Sequence, residues 1–199
     1  AGEVTARLTA SGAPGEDLSP LLDPVEAEIA KRLGDSVYAE GRDKTMESTV
    51  LALLLKRGET VALAESCTGG KLAAMLTDSP GASGALVEGF VTYSNVAKVR
   101  SLGVKEDTLR AHGAVSEECA IEMAEGARQK TGATWALSVT GIAGPDGGSE
   151  EKPVGTVYIG LSGPDGASTQ RFQFVGDRSW NRTLSCQNAL NLLRLKLIR

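Results

Sequence analysis

The sequence predicts an α/β fold, a layered α/β/α sandwich with a mixed sheet that is preceded by a small strand–helix–strand unit. Apolar segments with the spacing of strands alternate with segments that have the spacing of helices along most of the 199 residues. Near the C-terminus, two strand patterns flank the turn Gly163-Pro164-Asp165-Gly166, which is typical of a hairpin. A hairpin adds antiparallel strands to a sheet whose other strands are joined by helices, so we expect the sheet to be mixed.

The first part of the chain is expected to form the small unit. Its pattern runs strand, loop, helix and strand over residues 3–9, 11–19, 21–33 and 37–39. Gly34 follows the helix directly and is a typical helix stop. A unit of about forty residues is small for independent stability. The polar residues 40–44 then separate a domain of residues 1–43 from a domain of residues 44–199.

The second domain alternates between helix and strand patterns. Thr45 and Ser48 open its first helix, and Ser94 is placed to cap the helix that follows the second strand. The predicted helices are residues 45–55, 67–77, 95–102, 116–130 and 178–198, and the predicted strands are residues 61–64, 85–93, 133–139, 154–161 and 169–175.

The composition excludes several classes of function. A net charge of −4 gives no basic footprint for nucleic acid, and no apolar run is long enough for a transmembrane helix. No signal peptide is visible, and the three cysteines form neither a disulfide framework nor a metal-ligand pattern, so we expect a cytoplasmic protein. The single histidine, His112, is placed at a helix end and is more typical of a cap or a solvated side chain than of a catalytic base.

The most informative segment joins the predicted strand at Val61 to the next helix. Glu65, Ser66, Thr68 and two glycines, Gly69 and Gly70, occupy this junction. Glycines let a ligand approach the backbone, and the N–H groups of a helix N-terminus can bind an anion or an oxyanion. The segment matches neither a P-loop nor a Gly-x-Ser-x-Gly elbow. Spacing alone supports Ser66 equally well as a helix cap and as a nucleophile, and Cys67 is a weaker rival nucleophile because no histidine pairs with it.

Three further segments carry candidate site residues. Tyr93 ends a strand and Lys98 lies one turn into the next helix, so both could face the same sheet edge as Ser66, although a lone lysine on a helix is more typical of a solvated surface. A second glycine-rich strand exit, residues 140–148, favours a ligand over a plain loop. Arg178 opens the last helix with Arg182 one turn later, and either phosphate binding or a surface position fits Arg178.

These motifs together resemble the CinA C-terminal domain family, the nicotinamide mononucleotide deamidases named after the competence/damage-inducible protein CinA. The resemblance covers about residue 45 to the C-terminus. The N-terminal unit looks like the small middle domain of full-length CinA, in which a molybdopterin-binding-like domain would come first, so we expect a fragment that lacks it. The matching segments are Ala64-Glu-Ser-Cys-Thr-Gly-Gly70, Val91-Thr-Tyr-Ser-Asn95 with Ala97-Lys98, Leu102-Gly-Val104, His112-Gly-Ala-Val-Ser-Glu117, Thr140-Gly-Ile-Ala-Gly-Pro-Asp-Gly-Gly148, Glu151-Lys-Pro-Val-Gly155 and Gly176-Asp-Arg178.

The resemblance implies hydrolysis of the carboxamide of nicotinamide mononucleotide to nicotinic acid mononucleotide and ammonia, a step of pyridine nucleotide (NAD) recycling. It implies Ser66 as the nucleophile, Tyr93 and Lys98 as its activating partners, no metal or other cofactor, and self-association as a homo-oligomer. The alternative is a nucleotide-binding or oligomerisation module without turnover. Backbone N–H groups of residues 68–70 are expected to hold the oxyanion, and residues 140–144 or Arg178 the phosphate. The expected substrate-binding residues are Glu65, Thr68, Gly69, Gly70, Thr140, Gly141, Gly144 and Arg178.

Overall fold

The computed structural model describes residues 3–41 and 44–199. The chain divides into two compact units, Ala1–Lys44 and Thr45–Arg199. The helices are α1 Ser19–Leu33, α2 Met46–Arg57, α3 Lys71–Thr77, α4 Asn95–Leu102, α5 Glu106–His112, α6 Glu117–Thr131 and α7 Arg178–Leu197. The strands are β1 Val61–Glu65, β2 Leu86–Val91, β3 Trp135–Gly141, β4 Thr156–Gly163 and β5 Gly166–Gln173, and short 3₁₀ turns lie at Gly34–Ser36 and Ala82–Gly84.

The first unit contains the predicted helix, but its described residues form no strand. Residues 3–9 and 37–39 were expected to be strands, and neither has a ladder partner in the part of the chain that the structure describes. An alternating pattern makes a strand only where a sheet buries its apolar face. Here Val4 is 96% exposed, and α1 has no buried residue, so no such face exists.

The second unit confirms the predicted α/β/α sandwich with a mixed sheet. The strand order is β2-β1-β3-β4-β5, with β1 parallel to both β2 and β3 and the remaining pairs antiparallel. Helices α4, α5 and α6 pack together on one face, and α2, α3 and α7 pack together on the other. Both faces of β1 are therefore buried, which is why its sequence is apolar without alternation.

The predicted hairpin is present, and it adds the antiparallel strands. Strands β4 and β5 pair along their whole length and close at Gly163 opposite Gly166. Helix α5 was not among the predicted ranges, although His112 was expected at a helix end and does end α5. Helix α3 begins four residues later than predicted because Gly69 and Gly70 have φ of +57° and +88°. Among the described residues, no helix has the length and apolar character needed to cross a membrane.

The strand order brings the candidate segments to one edge. The chain leaves the carboxyl end of β1 for β2 on one side, whereas β3 lies on the other side of β1. A crevice outside the carboxyl ends of the strands is expected at such a switch point. The loops that follow β1, β2 and β3 begin at this edge, as the sequence predicted.

Candidate active site

Two hydrogen bonds connect the ends of the three parallel strands. The N–H of Thr92, just after β2, donates to the Glu65 carbonyl at 2.8 Å. The N–H of Ser66, just after β1, donates to the Val139 carbonyl of β3 at 2.9 Å. The backbone around Ser66 is therefore fixed from both sides, and its position does not depend on a mobile loop.

Ser66 and Lys98 form the central pair of the site. Lys98 Nζ lies 2.9 Å from Ser66 Oγ, and the two residues are only 1% and 9% exposed, respectively. The ammonium also donates to the carbonyls of Thr92, at 2.7 Å, and Tyr93, at 3.5 Å. Helix α4 sets this geometry, because Ser94 caps it and places Lys98 one turn along the helix, over the edge of the sheet.

Burial lowers the pKa of Lys98 below the ordinary value of 10.5. Removal of the charged amine from water disfavours the protonated form, and only weaker interactions with Cys119 and Cys67 oppose this effect. Lys98 therefore loses its proton more readily than a solvated lysine. A lysine with a lowered pKa, at hydrogen-bond distance from a serine hydroxyl, has the properties of a general base.

Cys67 is next to Ser66 but is not prepared as a nucleophile. Burial raises the pKa of its thiol to about 11. The reactive form of a cysteine is the thiolate, which is scarce at neutral pH when the thiol is buried in this way. The structure thus favours Ser66 over Cys67, the weaker of the two candidates from the sequence.

The N-terminus of α3 is not open for a ligand, contrary to the prediction. The Glu65 carboxylate, 1% exposed, accepts the N–H groups of Gly70 and Leu72 at 3.0 Å and that of Ala73 at 2.9 Å. Gly70, the N-cap of α3, has no side chain that could serve this purpose. A carboxylate from the end of β1 therefore completes the helix, and both of its oxygens accept hydrogen bonds from backbone amides.

The nucleophile turn, which we define as residues 66–70, keeps two N–H groups that no other described residue accepts. The Gly69 N–H donates to the Ser66 carbonyl at 3.1 Å, and the Gly70 N–H donates to the Glu65 carboxylate. Within the described part of the chain, the N–H groups of Cys67 and Thr68 donate to no other residue. Of the N–H groups at residues 68–70 that were expected to face an oxyanion, only that of Thr68 therefore lacks an acceptor among the described residues, and the N–H of Cys67 joins it.

Arg178 connects two of the predicted segments at the rim of the site. Its Nη1 donates to the Gly144 carbonyl at 2.8 Å, and its Nη2 donates to the Tyr93 hydroxyl at 3.1 Å. Tyr93 is 61% exposed. Its hydroxyl accepts from Arg178, whereas only its backbone carbonyl accepts from Lys98. Arg178 as a whole is an exposed residue, although its bond to Gly144 is partly buried.

The end of β3 and the residues that follow it shape the loop rather than offer side chains to a ligand. The Thr140 hydroxyl is buried and donates to the Ala114 carbonyl at 2.7 Å. A Cβ at Gly141 would lie 2.7 Å from the Thr156 carbonyl oxygen, and one at Gly144 would lie 2.6 Å from a methyl group of Val154. These two positions therefore need glycine because the backbone passes too close to its neighbours.

The structure adds two residues of α7 to the site. Asn181 is buried and donates to the carbonyls of Ala143 and Gly176 at 3.0 and 3.1 Å. Arg182, noted in the sequence only by its distance from Arg178, donates to the Thr68 carbonyl. Helical spacing could have identified both, since residues three and four positions after Arg178 share its face of the helix.

A match to a protein-family model identifies the family of the chain. Residues 43–197 match the model of the CinA C-terminal domain. The chain belongs to the CinA family. The resemblance seen in the sequence motifs is thereby confirmed, and the match covers every residue of the site described above.

Curated relatives carry CinA names over nearly the whole chain. A putative competence-damage inducible protein of Clostridium perfringens is 49% identical over 195 residues, which are 98% of this chain and 47% of the relative. A CinA-like protein of Dictyoglomus turgidum is 43% identical over 197 residues, with 99% and 48% covered. This CinA-family chain thus spans about half the length of the curated relatives it matches.

Solved CinA structures have the same fold. A CinA superfamily protein from Klebsiella pneumoniae superposes with a TM-score of 0.74 at 37% identity, covering 77% of this chain and 96% of that one. A competence/damage inducible protein from Agrobacterium tumefaciens gives a TM-score of 0.73 at 37% identity, covering 80% and 100%. Those chains are similar in extent to the sandwich unit.

Proposed function

We propose that this CinA-family protein is an amidohydrolase that converts nicotinamide mononucleotide to nicotinic acid mononucleotide and ammonia. The observation that carries the proposal is the buried pair in which Lys98 Nζ lies 2.9 Å from Ser66 Oγ. A serine needs a base to attack an amide, and Lys98 is the base that the geometry supplies. The choice of substrate follows the resemblance of the motifs to the nicotinamide mononucleotide deamidases.

The contacts of Lys98 suit a neutral amine acting on Ser66. Its two N–H bonds can point to the carbonyls of Thr92 and Tyr93, which leaves the nitrogen lone pair for the Ser66 hydroxyl proton. This geometry supports direct proton transfer from Ser66 to Lys98. Tyr93 then contributes through its carbonyl, and its hydroxyl remains with Arg178.

The reaction proceeds through an acyl-enzyme. Ser66 Oγ attacks the carboxamide carbon as its proton passes to Lys98, and the N–H groups of Cys67 and Thr68 stabilise the negative oxygen. The Lys98 ammonium then gives this proton to the amide nitrogen, the carbon–nitrogen bond breaks and ammonia leaves. Water, deprotonated by Lys98, attacks the ester, and the proton returns to Ser66 as the acid product is released.

The rim of the site suits a mononucleotide. The guanidinium of the exposed residue Arg178 connects Gly144 and Tyr93, and a guanidinium binds phosphate oxygens through two parallel donors. We therefore place the substrate phosphate at Arg178 and the carboxamide at Ser66. In this assignment the residue that binds the phosphate, Arg178, and the base, Lys98, lie on different helices, α7 and α4.

The test is ammonia release from nicotinamide mononucleotide by the purified chain and its variants. We expect Ser66→Ala and Lys98→Met to lose at least about 1,000-fold in kcat, because either change removes the activated nucleophile. The matched controls are Ser168→Ala and Lys130→Met, which alter exposed residues of β5 and α6 and are expected to leave kcat unchanged.

The outcome separates the proposal from its alternative. Full activity of Ser66→Ala would show that Ser66 is not the nucleophile. Tight binding of the mononucleotide by the unmodified chain without ammonia release would instead favour a nucleotide-binding module. Ammonia release from a different small amide, but not from the mononucleotide, would keep the chemistry and reject the substrate.

A further inference from the structure

Arg182 contacts the backbone of the nucleophile turn. From the second turn of α7, its Nε and Nη2 both donate to the Thr68 carbonyl oxygen, at 3.2 and 2.5 Å. A Cβ on Gly69 would lie 3.5 Å from the same Nη2, so the guanidinium rests directly against the turn. The catalytic steps described above do not use this contact.

The Thr68 carbonyl is linked to an oxyanion donor through two peptide units. Its own peptide unit carries the Gly69 N–H, which donates to the Ser66 carbonyl at 3.1 Å. The Ser66 carbonyl in turn shares a peptide unit with the Cys67 N–H. A cation on the first carbonyl polarises each successive group, and hydrogen bonds in such a chain strengthen one another.

Glu65 binds hydrogen-bond donors of the same turn, whereas Arg182 binds an acceptor. Its carboxylate takes N–H groups at the α3 side, whereas the Arg182 guanidinium takes a carbonyl from α7. Charge-assisted hydrogen bonds of this kind are stronger and shorter than neutral ones. The turn is thus fixed at both ends by charged side chains, neither of which contacts the Ser66 hydroxyl.

We propose that Arg182 is a positioning residue for amide hydrolysis, which holds the Thr68 carbonyl so that the N–H groups of Cys67 and Thr68 meet the developing oxyanion. The inference rests on the proposed function, because it concerns the transition state of that reaction. Arg182 acts through the backbone and does not contact the substrate. Its contribution therefore belongs to the rate of the chemical step and not to substrate binding.

Steady-state ammonia release from nicotinamide mononucleotide tests this role. We expect Arg182→Gln to lower kcat by about 10- to 100-fold, with KM changed by less than about twofold, since the loss is confined to the transition state. Arg182→Lys keeps one charged donor for the Thr68 carbonyl, so its kcat should lie between those of Arg182→Gln and the unmodified protein.

Lys71 offers a matched control. Its Nζ donates to the Thr183 hydroxyl at 2.7 Å, so its side chain also ties α3 to α7. The Lys71 backbone N–H donates to the Thr68 carbonyl at 3.2 Å, and Lys71→Met keeps this bond. Lys71→Met is expected to keep the unmodified kcat. Thermal unfolding midpoints of all variants, measured alongside, show whether the fold is intact.

Each outcome decides the question. An unmodified kcat in Arg182→Gln, or an equal loss in Lys71→Met, would overturn the positioning role. If Arg182→Gln does not fold, Arg182→Lys decides, and an unchanged kcat in that folded variant overturns the role. Absence of ammonia release by the unmodified chain is a different result, because it rejects the proposed function itself.

Discussion

At the residue scale, Lys98 shows what the sequence can predict and what it cannot. Its place after a strand end predicted that it shares an edge with Ser66, and the structure brings the two side chains to 2.9 Å. The pattern alone was more typical of a solvated lysine, yet the residue is 1% exposed. Burial of a charged group depends on how distant segments close around it, and no local spacing reports that.

The lowered pKa of Lys98 predicts the pH dependence of the reaction. Only the neutral amine can accept the Ser66 proton, so kcat/KM should rise with pH through a single pKa that lies below 10.5. The free energy of unfolding should rise across the same window, because the unfolded chain holds the Lys98 proton up to 10.5 while the folded chain has released it. Initial rates of ammonia release and urea unfolding, each measured at several pH values, check both expectations.

A cysteine variant serves as the control for this pH profile. Cys119 lies near Lys98, and burial raises the pKa of its thiol to about 11, so it remains neutral where the rate rises. The rising limb should persist in Cys119→Ala. Its disappearance there, or a rate that does not vary with pH, would contradict Lys98 as the base.

At the element scale, the sequence predicted the position of the junction between β1 and α3 but not the hydrogen bonds formed there. Two glycines and a serine after an apolar strand correctly indicated a turn before a helix. The sequence could not show that the helix N-terminus is already filled, because rules for capping look for a short side chain at the N-cap, and Gly70 has none. Glu65 reaches these amides from five or more residues upstream, through a turn whose path only the structure gives.

Replacement of Glu65 tests how much this carboxylate stabilises the junction. Glu65→Gln leaves one carbonyl oxygen for three N–H groups and turns an NH₂ group toward at least one of them. We expect the free energy of unfolding to fall by about 1–3 kcal/mol, the cost of a buried donor without an acceptor. Urea denaturation measures it, with Glu88→Gln on exposed β2 as the charge-matched control, expected within about 0.5 kcal/mol of the unmodified protein. Equal effects of the two changes would contradict the role of Glu65 in completing α3.

At the scale of the whole molecule, the fold class was predictable and the strand order was not. Alternating strands and helices with a final hairpin are sufficient for a mixed sandwich, but they do not determine the strand order β2-β1-β3, which brings the candidate segments to one edge. The strands predicted in the first unit were wrong, because an alternating pattern carries no information on whether a partner strand exists. The sequence predicted correctly which residues lie at strand ends, as for Ser66. It did not predict the partners of long side chains, such as the contact of the Tyr93 hydroxyl with Arg178.

We therefore expect the second unit, but not the first, to fold without the rest of the chain. Every hydrogen bond described at the site joins residues of Thr45–Arg199, so a chain of residues 44–199 should keep the kcat for ammonia release and a cooperative unfolding transition. The first unit contains α1 without a buried residue, so a peptide of residues 1–44 should show little helix by circular dichroism and no cooperative melting. Loss of kcat in the shorter chain, with its unfolding midpoint unchanged, would mean that the first unit contributes to catalysis. Cooperative melting of the peptide would mean that its small set of apolar contacts suffices for folding.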